Sequence, residues 1–342
     1  MAITYFIGHE HLNLRMKKLD VIYLPVFLLL AFLLYFNPFP SSFFLSVIHL
    51  LLGCFVLIKG SAYFVESTVD MAAKLGVSEH TIGLTVVAFG TSLPELAVSG
   101  IASYGGHVET AWGNVVGSNV TNILLILGVA MIITSIRPSK YAFKDALTML
   151  AISVITIFLI FDGALQFYDG VLLLSFYFIF VYMLRKRGIE GEEMISRMSP
   201  PLTLLFFVAG ITGVAMGADG MVRGAVSISS LLGVKEVAIA ASIVALGTSL
   251  PELATSVVAA MKKHHGIAVG NVIGSNIMNL GLVLGFSSLL HTIPISIASA
   301  SLLFFLLVSI ATPLMLYRKW VGKVTGSIML LLYVLFLIFV YL

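Results

Sequence analysis

Charge is scarce in this chain: Asp, Glu, Lys and Arg make up 10% of its 342 residues, where a soluble domain carries about a quarter. Cysteine is scarcer still. A single one, Cys54, excludes an intramolecular disulfide framework and a cysteine-based zinc site, and reads as a lipid-facing or packing residue. The formal net charge of +3 is small and gives no basis for a nucleic-acid partner. What remains is apolar: 59% of the residues are hydrophobic and the mean hydropathy is +1.09. No water-soluble core hides that much apolar surface, so the lipid bilayer is the solvent and the chain reads as an all-α polytopic membrane protein.

Residues 1–20 are polar, with Arg15, Lys17 and Lys18 ahead of an apolar run at Val21–Phe36. Asn37-Pro38-Phe39-Pro40 after that run offers no small-x-small cleavage site, so it reads as an uncleaved extra helix rather than a signal peptide. Met16 is an alternative start, which would leave residues 1–15 outside the protein. Further spans are expected at Ser42–Glu66, Glu79–Tyr104, Ala111–Thr134, Phe143–Phe161 and Tyr168–Leu184. After a polar linker, Arg185–Pro201, come Leu202–Val226, Glu236–Met261, Ile267–Leu290, Ile293–Leu316 and Val324–Leu342. Each is long enough to cross roughly 30 Å of hydrocarbon. The expected organisation is a tail and extra helix (1–41), a five-helix repeat (42–184), a cytoplasmic linker (185–201) and a second five-helix repeat (202–342). With the N-terminus in the cytoplasm, seventeen of the 19 Lys and Arg residues fall inside and only Arg223 and Lys235 outside. That is a strong positive-inside bias. It puts the C-terminus outside, in a plasma or inner membrane.

The chain says one thing twice. Gly90-Thr91-Ser92-Leu93-Pro94-Glu95-Leu96 recurs letter for letter as Gly247-Thr248-Ser249-Leu250-Pro251-Glu252-Leu253, 157 residues later. The same shift aligns Gly60–Gly128 with Gly217–Gly285 without a gap, roughly 32 of 69 positions being identical. It also lays Gly113-Asn114-Val115-Val116-Gly117-Ser118-Asn119-Val120-Thr121-Asn122 on Gly270-Asn271-Val272-Ile273-Gly274-Ser275-Asn276-Ile277-Met278-Asn279. Helix packing explains repeated Gly and Ser, but not repeated Glu and Asn inside apolar runs. An intramembrane carboxylate marks a functional site by default. A shift of five helices also gives the two copies opposite orientations, as in transporters built from inverted repeats with broken helices at the binding site.

The residue types point to a hard cation. Pro94 and Pro251 have no N–H, so the carbonyls of Gly90 and Gly247, four residues earlier, lose their helical partners, and backbone left unpaired in lipid must find another. Thr91, Ser92, Thr248 and Ser249 add hydroxyls, and Glu95 and Glu252 add two charges. Asn122 and Asn279 lie four residues after Ser118 and Ser275, on the same helical faces. An all-oxygen cage suits Ca²⁺, with six to eight ligands at about 2.3–2.6 Å, better than Mg²⁺, which dehydrates reluctantly. Nothing in it is soft enough for Cu or Zn. Emptying it leaves two like charges face to face, which must be refilled by Na⁺ or protons.

The paired Gly-Thr-Ser-Leu-Pro-Glu and Gly-Ser-Asn-x-x-Asn motifs closely resemble the alpha repeats of the sodium/calcium exchanger family, within the cation/calcium antiporter superfamily, over residues 42–342. The resemblance implies a ten-helix inverted-repeat core with alternating access and no resident cofactor, Ca²⁺ and Na⁺ being the cargo. It implies Ca²⁺ held by Glu95, Glu252 and the backbone carbonyls of Thr91 and Thr248. It places Na⁺ at Ser92, Ser249, Ser118, Ser275, Asn122 and Asn279, with the carbonyls of Ala88 and Ala245 as further candidates. Many family members carry Asp where this chain has Asn279, and the proton-coupled branch commonly has an extra N-terminal helix, so H⁺ is the alternative coupling ion. The first helix of each half, lacking a matched midplane carboxylate, is the expected gate.

Other polar residues invite plainer readings. His49, the only histidine well inside a span, reads as a satisfied core imidazole, and Glu66, Asp70 and Asp219 as solvated helix ends. Lys59 can snorkel. Glu79 and Glu236 suit helix N-termini, and Glu190–Glu193 reads as a charged loop. An intramembrane hydrolase would need a nucleophile elbow or a His-Glu-x-x-His motif, and neither is present. A passive cation channel has less need of inverted repeats.

Overall fold

A computed structural model describes residues 13–36, 42–184, 196, 198–233, 245–295 and 300–341. Its apolar runs are helices, the form in which a single segment satisfies its own backbone in lipid. In chain order these are α1 (Asn13–Phe36), α2 (Phe43–Leu75), the half-helices α3 (Glu79–Thr91) and α4 (Leu93–Tyr104), α5 (Val108–Ile133), α6 (Ala142–Leu159) and α7 (Phe167–Leu184). The second half has α8 (Pro200–Leu231), the half-helices α9 (Ala245–Thr248) and α10 (Leu250–Met261), α11 (His265–Leu290), α12 (Ala300–Tyr317) and α13 (Lys323–Tyr341). Among the described residues seven helices are long and apolar enough to span a membrane, α3 with α4 makes an eighth, and three shorter apolar helices fall at the remaining expected positions. The fold is the expected extra helix followed by two five-span halves.

Four boundaries differ from expectation, α1 opening at Asn13 rather than Val21. α2 continues past Glu66 to Leu75, ending at Gly76 in the left-handed region (φ 64°). It can do so because Asp70 is not a solvated end: it is 4% exposed, ion-paired to Lys74, and accepts from Thr203 Oγ1 at 2.6 Å and Met198 N at 3.0 Å. α8 likewise runs on to Leu231. The span expected from Ile293 opens instead as a two-residue strand, Ile293–Pro294 (β2), antiparallel to Ala164–Leu165 (β1), and its described helix spans Ala300–Tyr317.

Contacts between loops agree with the alternation of spans. β1 and β2 join the α6–α7 and α11–α12 connections, which the alternation puts on one side. Ile136 N donates to Val321 O at 3.1 Å between the α5–α6 and α12–α13 connections, which it puts on the other. Glu79, next to its N-cap Ser78, pairs with His264 at 2.8 Å, and Glu66 pairs with Lys262, on that second side as well.

Among the described residues three hydrophobic clusters form, the smallest of them Leu57, Val214 and Ala218 between α2 and α8, with Leu250 and Ala254 of α10 packed on it. The largest is organised around α5 and α11, whose spans are 72% and 94% buried against 22–44% for the other five long spans. A second core joins α1, α2 and α8: Leu24, Phe27, Ala31 and Leu34 pack on Val56, Tyr63, Phe206 and Ala209. α2 and α8 approach backbone to backbone. A Cβ on Gly60 would lie 2.8 Å from the Gly213 carbonyl carbon, which only glycine avoids. Both ends of α1 are pinned: Lys59 bonds Asp20 at 2.7 Å, and Arg223 donates to Tyr35 O at 3.4 Å.

Candidate cation site

Pro94 and Pro251 fall in the first turn of α4 and α10, where a missing N–H leaves no bond unmade within the half-helix. The residues just before, Ser92 (φ −89°, ψ 9°) and Ser249 (φ −87°, ψ 2°), leave helical geometry, and α3 and α4 meet at a 47° bend. Both serines occupy N-cap positions, yet neither side chain caps its helix. Each reaches instead into the other repeat: Ser92 Oγ donates to Glu252 Oε1 at 2.8 Å, and Ser249 Oγ to Glu95 Oε1 at 3.5 Å. The carboxylates are deeply buried, 1% exposed for Glu95 and none for Glu252. Among the described residues no three His, Cys, Asp or Glu side chains converge, so the two acids are surrounded by neutral oxygens.

Asn122 and Asn279 each open a π-helical segment, Asn122–Leu127 and Asn279–Leu284, a wide turn frequent at functional sites. Their amides cross between the repeats: Asn122 Nδ2 donates to Asn276 Oδ1 at 2.9 Å, and Asn279 Nδ2 to Asn119 Oδ1 at 3.1 Å. Asn119 and Asn276 donate to each other's backbone carbonyls at 3.4 and 3.2 Å. Among the buried side-chain oxygens without a hydrogen-bond partner, five belong to residues expected to bind a cation: Glu95 Oε2, Glu252 Oε2, Asn122 Oδ1, Asn279 Oδ1 and Ser275 Oγ. Buried polar atoms are seldom unpaired.

The remaining expected residues are close by. Ser118 Oγ lies 3.3 Å from Ser249 Oγ. Thr91 Oγ1 bonds Val87 O and Asn271 Oδ1, both at 3.1 Å, and Thr248 Oγ1 bonds Asn114 Oδ1 at 3.3 Å. The Ala88 carbonyl accepts from Ser92 N at 3.0 Å, and Ser249 N donates to Leu246 O at 3.1 Å. Four residues with structural roles here were not singled out from the sequence: Asn114, Asn271, Asn119 and Asn276. Their signal was present, since each pair is identical at the 157-residue shift. Beside the site, an apolar cavity of about 240 Å³ separates Pro94 and Pro251 from Ile211, Val214 and Ala215 of α8.

His49 departs from its expectation: it is buried, but its Nε2 has no hydrogen-bond partner. Asp219 is bound to Arg223 at 2.8 Å and Glu66 to Lys262, rather than either being simply solvated. Lys235, Glu236 and Glu190–Glu193 lie outside the described residues.

Two inverted halves, each supplying a broken helix and a buried carboxylate to one oxygen-lined cage, define a secondary active transporter of cations. The family described as "Sodium/calcium exchanger protein" matches residues 45–186 and 202–342. The chain belongs to that family. Sodium/calcium exchanger MaX1 of Methanosarcina acetivorans is 34% identical, the match covering 84% of this chain and 96% of that one. An uncharacterized membrane protein of Methanocaldococcus jannaschii is 36% identical over 85% of this chain and 96% of its own length. A solved structure of the sodium-calcium exchanger NCX_Mj, soaked with Na⁺ and Sr²⁺, has 34% identity and a TM-score of 0.78, covering 86% of this chain and 98% of that one. The family match begins at residue 45, so α1 precedes it.

Proposed function

We propose that this antiporter exchanges Ca²⁺ for Na⁺ at the cage between Glu95 and Glu252. The observation that carries the reading is a set of five unpaired buried oxygens, two of them carboxylate: the repeat-related pairs Glu95/Glu252 and Asn122/Asn279, with Ser275. Two carboxylates neutralise one Ca²⁺, and neutral amide and hydroxyl oxygens complete the shell that a flexible oxygen-ligated ion accepts. The carbonyls of Thr91, Thr248, Ala88 and Ala245 are further ligands, and Ser92, Ser249, Ser118, Ser275, Asn122 and Asn279 serve Na⁺. The relative NCX_Mj has been solved with Na⁺, Ca²⁺ and Sr²⁺, which supports the same cargo here. Family membership also favours Na⁺ over H⁺ as the coupling ion.

Exchange follows from the charge balance. A cage holding neither Ca²⁺ nor Na⁺ leaves two buried carboxylates facing one another, a state too costly to cross the membrane unfilled. α2 and α8, carrying α1, move past the cage as the gate, and the bias of Lys and Arg puts the N-terminus and the linker in the cytoplasm. The test is radioactive Ca²⁺ uptake into proteoliposomes loaded with Na⁺, at equal pH on both sides and without K⁺. Uptake that requires internal Na⁺ is expected. Uptake driven by a pH gradient and indifferent to Na⁺ would replace Na⁺ by H⁺, and Ca²⁺ conductance needing no counter-ion would replace the antiporter by a channel.

A further inference from the structure

Asn114 and Asn271 contribute no unpaired oxygen to the cage, yet each closes a ring of contacts around one carboxylate. Asn271 Nδ2 donates to Ser256 Oγ at 2.9 Å, and Ser256 lies one helical turn beyond Glu252 on α10. Glu252 accepts from Ser92 at 2.8 Å; the neighbour of Ser92, Thr91, returns to Asn271 Oδ1 at 3.1 Å. The other half repeats the circuit. Asn114 Nδ2 donates to Ser99 Oγ at 2.9 Å, one turn beyond Glu95; Glu95 meets Ser249 at 3.5 Å; and Thr248 returns to Asn114 Oδ1 at 3.3 Å. Each asparagine therefore ties the half-helix carrying its own repeat's glutamate to the helix break of the opposite repeat.

Resting on the reading of a Ca²⁺ cage between Glu95 and Glu252, we propose that Asn114 and Asn271 are positioning residues that set the cage's width and so select among divalent cations by size. Asn271, Ser256 and Thr91 are all buried, so their mutual bonds are the alternative to leaving polar groups unpaired, and a closed ring resists being stretched as a single bond does not. A wider ion needs Ser92 and Glu252, or Ser249 and Glu95, to part, and that strains the bond to the asparagine. The Asn271 ring has the shorter bonds and carries the larger share of the selection. The sequence could not have shown this, because the decisive bonds run between repeats.

The test uses the full chain in proteoliposomes and reads competition by Ba²⁺, the larger ion, against Na⁺-driven Ca²⁺ uptake. Thr91→Val and Thr248→Val are the principal variants. They keep side-chain shape and the backbone carbonyl but remove the hydroxyl that bonds the asparagine. Asn271→Ala and Asn114→Ala are compared with them. Thr91→Val and Asn271→Ala should each narrow the preference for Ca²⁺ over Ba²⁺ by about tenfold, the equivalent of one buried hydrogen bond. Thr248→Val and Asn114→Ala should narrow it less, and Thr91→Val/Asn271→Ala should narrow it no further than either single change. A Ca²⁺/Ba²⁺ preference unchanged in Thr91→Val, or additive effects in the double variant, overturns the proposal. Failure of the cage reading itself is seen separately, as unaltered Ca²⁺ uptake in Glu252→Gln.

Discussion

Replacing Glu252 by Gln isolates the charge of the cage from its shape. Glu252 has no exposed surface, one oxygen bonded to Ser92 Oγ at 2.8 Å and the other unpaired. Glutamine keeps an oxygen to accept from Ser92, so the bond to the opposite helix break survives. What changes is the balance with bound Ca²⁺: one carboxylate, Glu95, is left against two positive charges in a buried site. Removing one partner from a buried charge pair costs about 3–5 kcal/mol, because the remaining charge is uncompensated. At about 1.4 kcal/mol per factor of ten, that is roughly a 150- to 5,000-fold weaker hold on Ca²⁺. Without Ca²⁺ or Na⁺ the effect has the opposite sign, since the substitution removes one of two like charges buried together. Ca²⁺ titration by calorimetry, with thermal unfolding in ion-free and Ca²⁺-containing detergent solution, separates the two effects. Glu252→Gln should unfold no earlier than wild type without Ca²⁺ and gain much less from its addition. A Ca²⁺ affinity within threefold of wild type in a variant that is folded by this measure would refute the assignment of Glu252 to the ion.

Asn279→Asp replaces an amide that donates to Asn119 Oδ1 at 3.1 Å with a group that can donate only when protonated. Exchange by this variant should therefore strengthen as pH falls, with a steeper pH profile than wild type; Na⁺-driven Ca²⁺ uptake at matched internal and external pH reads it, and identical pH and Na⁺ profiles would remove Asn279 from coupling. Gly60→Ala puts a Cβ 2.8 Å from the backbone of Gly213 and Val214. It should destabilise the α2–α8 packing by about 1–3 kcal/mol, visible as earlier thermal unfolding in detergent, and wild-type unfolding would show that the two backbones can part freely. In a Cys54→Ser background, oxidising the pair Glu66→Cys/Lys262→Cys, which joins α2 to α10, should stop exchange until a reductant is added. The pair Leu34→Cys/Gly220→Cys, which joins α1 to α8, should leave exchange running; the reverse pattern would refute the proposed gate.

The sequence reveals the double architecture because Glu95 and Glu252, like Asn122 and Asn279, stand at one fixed shift and are poorly suited to lipid unless they have a task. It also reveals the helix breaks, since Pro94 and Pro251 remove donors whatever surrounds them. What it conceals is nonlocal. Asp70 looks like a solvated end until Lys74, Met198 and Thr203 are brought to it, the last from 133 residues away. β2 hides inside an apolar run because its partner, β1, lies in the other half. The asparagines at 114 and 271 repeat as faithfully as those at 122 and 279, and only the folded arrangement separates the pair that braces from the pair with free oxygens.

That arrangement also bears on how the two halves can move. Six of the polar bonds that shape the cage cross from one repeat to the other: Ser92 to Glu252, Ser249 to Glu95, Thr91 to Asn271, Thr248 to Asn114, Asn122 to Asn276 and Asn279 to Asn119. Rocking one repeat as a whole against the other would break all of them together, at the moment when the ion most needs its ligands. α1, α2 and α8 are differently placed. They share a small hydrophobic core, and α8 meets the cage helices across the apolar cavity beside Pro94 and Pro251, while α2 packs on α10 and is tied to it by the Glu66–Lys262 pair. The proposed gate accordingly divides the three-helix unit from the rest, which leaves the cage's cross-repeat bonds intact. On that division α1 is a moving part of the proposed gate, even though it lies ahead of the region that matches the family.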